Sequence, residues 1–248
     1  MKTRLDNRHS FPIILGTLML LFLSMSSCIK PDYFPCIRPN GLITEETRIT
    51  PAFEGVELRL HGQVFIEHGP SHSIVIETSE NLLGYIQTRV SAGKLIIEQD
   101  RCMRCRMDDI NIYITMPMLN TVNLAGSGRM ILEDEWDPDQ VWINVSGSGE
   151  VSGTFTSEQM HTRISGSGNV LLEGKTIEHT MNISGSGQVN GTGMECEVAE
   201  VRISGSGNAK IKVSQHLEAR ITGSGSIYFW GDPTVSSSIS GTGKLVKH

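Results

Sequence analysis

Apolar and polar residues alternate along most of this 248-residue chain. Val56, Leu58 and Leu60 take every second position, as do Val64 and Ile66, Ile74 and Ile76, and Ile110, Ile112 and Ile114. A period of two puts one set of side chains on each face of an extended strand. Turn signals separate these runs at His61-Gly62, Gly69-Pro70 and Ala92-Gly93. No stretch keeps a 3.6-residue period, so no long helix is expected.

After residue 120 the alternation acquires a marker. Ala125-Gly126-Ser127-Gly128 opens a series whose later copies start at Ser146, Ser165, Ser184, Ser204, Thr222 and Ser240. The leading glycines are Gly126, Gly147, Gly166, Gly185, Gly205, Gly223 and Gly241, spaced 21, 19, 19, 20, 18 and 18 residues apart. Val145, Ile164, Ile183, Ile203, Ile221 and Ile239 precede the marker; Val151, Val170, Val189, Ala209 and Ile227 follow it. Such β-branched flanks at fixed offsets argue against a flexible linker. Within one copy, Ile164, Gly166, Gly168 and Val170 form one row, and Ser165, Ser167 and Asn169 the other. The first row should face inward. Its glycines mark either a pinch where no side chain fits or a corner needing positive φ.

A repeat of about 19 residues cannot bury an apolar face alone, but stacked copies share one core. The expected fold is all-β: a parallel β-helix, or β-solenoid, with one repeat per coil. At about 4.8 Å per coil, seven coils make a rod of about 34 Å. Residues 121–248 are assigned to these coils. Residues 45–120 form a less regular β region, either a cap or early coils, since an open solenoid end exposes unpaired edge groups.

The first residues read as an export signal. Lys2, Arg4 and Arg8 precede an apolar stretch over 11–23, and Ser24, Ser26 and Ser27 follow. The stretch is too short to span a bilayer. Cys28 comes next, and Leu23-Ser24-Met25-Ser26-Ser27-Cys28 resembles the lipobox of bacterial lipoproteins. That resemblance implies a signal peptide over 1–27, lipidation at Cys28 and a tether over 28–44. Ile29 after the cysteine resembles outer-membrane sorting, toward the periplasm or the cell surface. Removing the signal leaves 18 basic and 26 acidic residues, a net −8. The membrane partner is therefore expected to be held by lipid alone. The acidic balance also makes nucleic acid an unfit partner.

Phe53-Glu54-Gly55-Val56, Asn81-Leu82-Leu83, Gly93-Lys94-Leu95 and Met116-Pro117-Met118-Leu119 come in that order before the Ile-Ser-Gly-Ser-Gly repeats. Over residues 45–245 this order resembles the head GIN domain of putative auto-transporter adhesins. The resemblance implies a right-handed β-helix at the cell envelope, with a glycan or an envelope or host surface protein as partner.

Catalytic chemistry is not legible. The repeats place Ser, Thr and Asn at matched positions rather than carboxylates, so no catalytic residue, metal or cofactor is assigned, and a binding module is favoured over a carbohydrate-active enzyme or a lipid-handling protein. Cys102-Met103-Arg104-Cys105 is expected to be a short-loop disulfide or two thiols, and Cys196 a core residue. His61, His68 and His72 read as exposed turn histidines, and Glu133 to Asp139 as a solvated acidic loop. Trp136, Tyr228 and Trp230 are the candidate ligand contacts, with Trp142 flanking the same acidic loop.

Overall fold

In the computed structural model, which describes residues 35–248, the alternating stretches become strands stacked coil upon coil. The early strands are β1 (Ile43–Arg48), β2 (Gly55–Leu58), β3 (Gln63–His68) and β4 (Ser73–Ser79). A four-residue helix α1 (Glu80–Leu83) leads to β5 (Ile86–Ser91), β6 (Lys94–Gln99), β7 (Ile110–Met116), β8 (Thr121–Gly126), β9 (Arg129–Trp136) and β10 (Gln140–Gly147). Long strands follow: β11 (Glu150–Gly166), β12 (Asn169–Gly185), β13 (Gln188–Gly205) and β14 (Asn208–Gly223). The chain ends in β15 (Ser226–Trp230), β16 (Thr234–Gly241) and β17 (Lys244–Lys247).

The coils pair in parallel along two faces. One face runs β6, β2, β8 and β10, then the later halves of β11 to β14, then β16. The other runs β7, β3 and β9, then the earlier halves of β11 to β14, then β15 and β17. Inward rows from both faces meet as one core. Val145, Ile164, Ile183, Ile203 and Ile221 stack on one side; Val151, Val170, Val189, Ala209 and Ile227 stack on the other, all buried. Each fully buried aliphatic contributes about 1.5–3 kcal/mol relative to exposure.

The two glycines of the marker do different work. Gly166 has φ +125°, and a Cβ there would stand 2.6 Å from the Gly147 carbonyl oxygen of the coil below. That carbonyl accepts the Ser167 N–H at 2.8 Å, so the parallel ladder continues around the corner. Gly168 has no positive φ; its missing Cβ would lie 2.4 Å from Val145 Cγ1. The first glycine supplies the corner and the second supplies the pinch, so both readings of the repeat hold. The same geometry recurs at Gly147, Gly185, Gly205, Gly223 and Gly241, and the corner φ is present at Gly126.

Residues 45–120 provide both early coils and a cap. The coil β2–β3 sits between β6–β7 and β8–β9, out of chain order. At that end β5 pairs antiparallel with β6, β4 with β7, and β1 with β4, which covers edges that parallel coils would leave bare. A disulfide closes the cap, and it overturns the expectation for the Cys102–Cys105 segment. Cys102 bonds to Cys36, 66 residues away, and Cys105 stays a free thiol. An isolated parallel bridge between Ile37 and Met103 brings the two segments together. Cys105 faces the other way, packed against the core beside Ile37 and Met103.

Candidate binding groove

Parity along β10 decides which aromatic ring reaches solvent. Val141 and Ile143 point into the core, so Trp142 between them points out and is 43% exposed. The parallel register sets it between Thr121 of β8 and His161 of β11. Its ring lies flat on the His161 imidazole, with centroids 3.9 Å apart and planes 16° from parallel. Gln140 holds the far edge of that imidazole: its amide donates to Gln159 Oε1 at 3.0 Å and lies 3.2 Å from His161 Nε2. The Trp142 N–H donates to the Asn120 carbonyl at 2.9 Å, fixing the strand beneath the ring.

Trp142 stands at the rim of a groove of about 500 Å³. One wall is the loop before β8, Pro117 to Asn120; the other is the corner from Asp137 to Gln140. Pro117 and Pro138 fix φ at one point on each wall. Asp137 and Asp139 bring two carboxylates with no ion pair among the described residues. Exposed Met118 adds apolar surface opposite Trp142. No Lys or Arg lines the groove. The result is an aromatic plate, carboxylates and amides around one shallow, acidic concavity. Pockets of this composition orient a ligand with a few polar groups over an apolar surface.

Trp136, expected to touch a ligand, is 2% exposed and forms the floor of the groove. It shares parity with Met130 and Leu132, which places it inward, and its ring meets His68 edge-on at 5.7 Å. Its Nε1 is buried without a hydrogen-bond partner. Tyr228 and Trp230 lie at the other end of the rod, half-buried, where the His248 ring stacks on Trp230 with centroids 4.8 Å apart. They do not join Trp142. The signal for Trp142 was present in the pattern Val141-Trp142-Ile143, where an apolar ring interrupts an inward row with the outward parity. Cys28 lies outside the described residues.

The remaining candidate chemistry is structural. His72 accepts from the Phe53 N–H or donates to its carbonyl, at 3.2 and 2.8 Å, and packs on the Phe53 ring. His61 lies 3.1 Å from the Ser127 hydroxyl. Among the described residues no three of His, Cys, Asp and Glu gather as a metal set. The Cys196 thiol is buried, donates to the Lys212 carbonyl and is pushed up to about 12 by desolvation, so the nucleophilic thiolate is suppressed. A second groove follows the row Arg163, Asn182, Arg202 and Arg220. There Arg202 and Arg220 are already paired with Glu200 and Glu218, which spends much of their charge.

Residues 52–233 match the family model described as putative auto-transporter adhesin, head GIN domain. Three solved structures share the fold. A putative adhesin from Bacteroides fragilis is 21% identical, with TM-score 0.79 over 86% of this chain and 100% of its own. A putative lipid binding protein from Parabacteroides distasonis is 23% identical, with TM-score 0.73 over the same shares. A putative adhesin from Parabacteroides merdae is 18% identical, with TM-score 0.69 over 87% of this chain and 100% of its own. At such identities the likeness speaks for the fold alone. A comparison with curated proteins found no match.

Proposed function

The chain belongs to the family of putative auto-transporter adhesin head GIN domains, and from that premise we propose that it is a non-enzymatic binding module of the cell envelope, lipid-anchored through Cys28, that takes a neutral carbohydrate in the groove at Trp142. One observation carries the ligand class: a large aromatic ring, braced on one face by His161, held outward at the rim of a groove edged by carboxylates and amides. An indole face offers apolar area to the C–H face of a sugar ring. Asp137, Asp139, Gln140 and Asn120 supply polar partners for hydroxyls. Two carboxylates without a lining cation disfavour uronates and sulfated sugars, by like-charge repulsion.

No Ser, Cys, His or Lys lines the groove, which leaves Asp137 and Asp139 as its sole groups suited to acid–base work, and that supports binding without turnover. Support for the anchor is in the sequence: a basic start, a short apolar stretch and Ser26-Ser27-Cys28. It includes outer-membrane placement through Ile29. The ligand reading is tested by glycan-array binding of residues 28–248 beside the Trp142→Ala variant. Neutral glycans that bind the parent and not the variant are expected; binding that survives the substitution moves the site elsewhere. The anchor is tested by Cys28→Ala and cell fractionation. A variant still in the membrane fraction with its lipid label would overturn it.

A further inference from the structure

The capped end of the rod, where the described residues begin, carries a basic latch. Residues 36–38 and 102–106 lie side by side as two extended segments, joined by the Cys36–Cys102 disulfide and by hydrogen bonds on both sides of Ile37. The Ile37 N–H donates to the Cys102 carbonyl at 2.9 Å, and the Arg104 N–H donates to the Ile37 carbonyl at 2.7 Å. Parity sorts the side chains. Ile37, Met103 and Cys105 pack against the core, whereas Arg38, Arg104 and Arg106 are exposed on the disulfide side. The Ile37–Met103 register makes Arg38 and Arg104 neighbours.

Two like charges side by side cost free energy unless something anionic answers them. Arg38 and Arg104 have no carboxylate within ion-pair distance among the described residues. Arg106 pairs with Asp108 at 2.6 Å, but both side chains are more than half exposed, and such a pair exchanges partners at little cost. Leu42 and Ile43, each 62% exposed, follow on the same strap, which Asn81 pins by donating to the Arg38 carbonyl at 2.8 Å. Guanidinium groups beside exposed aliphatics suit the boundary between headgroups and acyl chains.

Chain length supplies the occupant. Cys28 precedes Cys36 by eight residues. At about 3.6 Å per residue at most, the latch lies within about 29 Å of that cysteine. The disulfide carries the constraint across to the loop bearing Arg104 and Arg106. We infer that Arg38, Arg104 and Arg106 seat the capped end of the solenoid on phosphate-bearing lipid headgroups, a second membrane contact beside the lipid. The inference rests on the anchor reading for nearness to the membrane, but not for its chemistry. It changes the expectation that lipid alone makes the membrane contact. A mature chain of net −8 is repelled as a whole by an anionic surface, yet its basic end is drawn to it, which would turn the acidic coils outward.

The experiment uses residues 28–248 with Cys28→Ala, so that no lipid contributes. Co-sedimentation is compared on vesicles of phosphatidylcholine and of phosphatidylcholine with phosphatidylglycerol. Partitioning onto the second alone is expected, falling with salt as the Debye length shrinks from about 10 Å at 0.1 M. Each of Arg38→Gln, Arg104→Gln and Arg106→Gln should lower it about five-fold, the equivalent of about 1 kcal/mol per surface charge. Arg163→Gln and Trp142→Ala, on the rod's coils, should leave it unchanged. Equal sedimentation with both vesicles, or latch variants that match the parent, would overturn the inference. So would equally tight binding to a soluble sulfated polysaccharide, which would make the latch a glycan site. Unchanged melting temperatures of the exposed-arginine variants confirm that binding, not folding, is being read. The fractionation of Cys28→Ala reports separately on the anchor.

Discussion

Gly166 lies so close over Gly147 that the Cβ it lacks would stand 2.6 Å from the Gly147 carbonyl oxygen. Gly166 also has φ +125°, a region that non-glycine residues rarely enter. Gly166→Ala therefore meets both backbone strain and a backbone clash, each of order 1–3 kcal/mol. Gly168→Ala needs no positive φ; it meets a methyl of Val145, which can shift, and the Gly149 carbonyl oxygen at 3.0 Å. The expected order of unfolding midpoints is Gly166→Ala below Gly168→Ala, with Ser167→Ala within about 0.5 kcal/mol of the parent. Chemical denaturation of the three variants checks it. Equal midpoints at positions 166 and 167 would refute the corner role of the first glycine.

The Cys36–Cys102 bond closes a loop of 66 residues that holds β1 to β6. By the chain-entropy relation such a loop stabilises the fold by about 4 kcal/mol. Cys36→Ser with Cys102→Ser should lower the unfolding free energy by about that amount, and a reductant should do the same to the parent. Cys105→Ser should leave the parent's response to reductant intact, since Cys105 takes no part in the bond. Mass mapping of the oxidised protein should find the 36–102 link and free thiols at 105 and 196.

Much of the fold was legible because one rule, alternation, decides so many positions. Ile164, Gly168 and Val170 are buried as that rule requires, and Ser165, Ser167 and Asn169 face out; Gly166, half-buried at the corner, is where simple alternation breaks. The rule says nothing about partner order. Val56 and Leu58 read the same whether β2 pairs with its chain neighbours or, as found, with β6 and β8. Nor does it separate antiparallel β4 from parallel β3. The disulfide was hidden for a similar reason. The two-residue gap between Cys102 and Cys105 drew attention to itself, whereas Cys36 meets Cys102 only through the Ile37–Met103 bridge. At the groove, alternation held the answer: Trp136 shares parity with buried Leu132, and Trp142 opposes that of Val141. The walls that meet beside Trp142 come from two different coils, and no local pattern brings Pro117 to Pro138.

His179 sits in the core, 1% exposed, with Nε2 2.9 Å from the Thr162 hydroxyl and Nδ1 unpartnered. Burial, with a smaller contribution from His161, lowers it to about 3 from an ordinary 6.5. The unfolded chain then binds a proton below pH 6.5 that the folded chain refuses. Its contribution is fully present above 6.5 and is lost as pH falls toward 3, at about 1.4 kcal/mol per pH unit. Glu57, whose pKa the Arg59 and Lys94 charges hold below the usual carboxylate range against the opposing effect of burial, acts only at pH values under its ordinary 4.5. The interval from 6.5 to 4.5 therefore isolates the histidine. His179→Leu should flatten the stability slope there while adding a pH-independent penalty of about 1–3 kcal/mol for the unpaired Thr162 hydroxyl. A slope that survives the substitution would assign it to another group.

Trp142 and Trp136 should separate binding from folding. Trp142 is exposed and its main contact is one face of His161, so Trp142→Ala should cost no more than about 1 kcal/mol of stability. Trp136 is the buried floor, and Trp136→Ala should cost about 3–5 kcal/mol through the cavity it leaves. For a neutral glycan bound in the groove, the first change should abolish binding in a folded protein. Asp137→Asn with Asp139→Asn should act differently again. Removing both carboxylates keeps hydrogen-bonding groups in place, so neutral glycans should still bind, while uronate-containing ones should gain affinity as repulsion disappears. Calorimetric titration of parent and double variant with a matched neutral and acidic pair measures this directly. The same samples test for chemistry: product formation by the parent that the double variant loses would make Asp137 and Asp139 an acid–base pair and the chain an enzyme. Binding with the saccharides recovered intact, and acidic glycans admitted only when the carboxylates are gone, is the outcome expected of a module that selects by charge and does not cut.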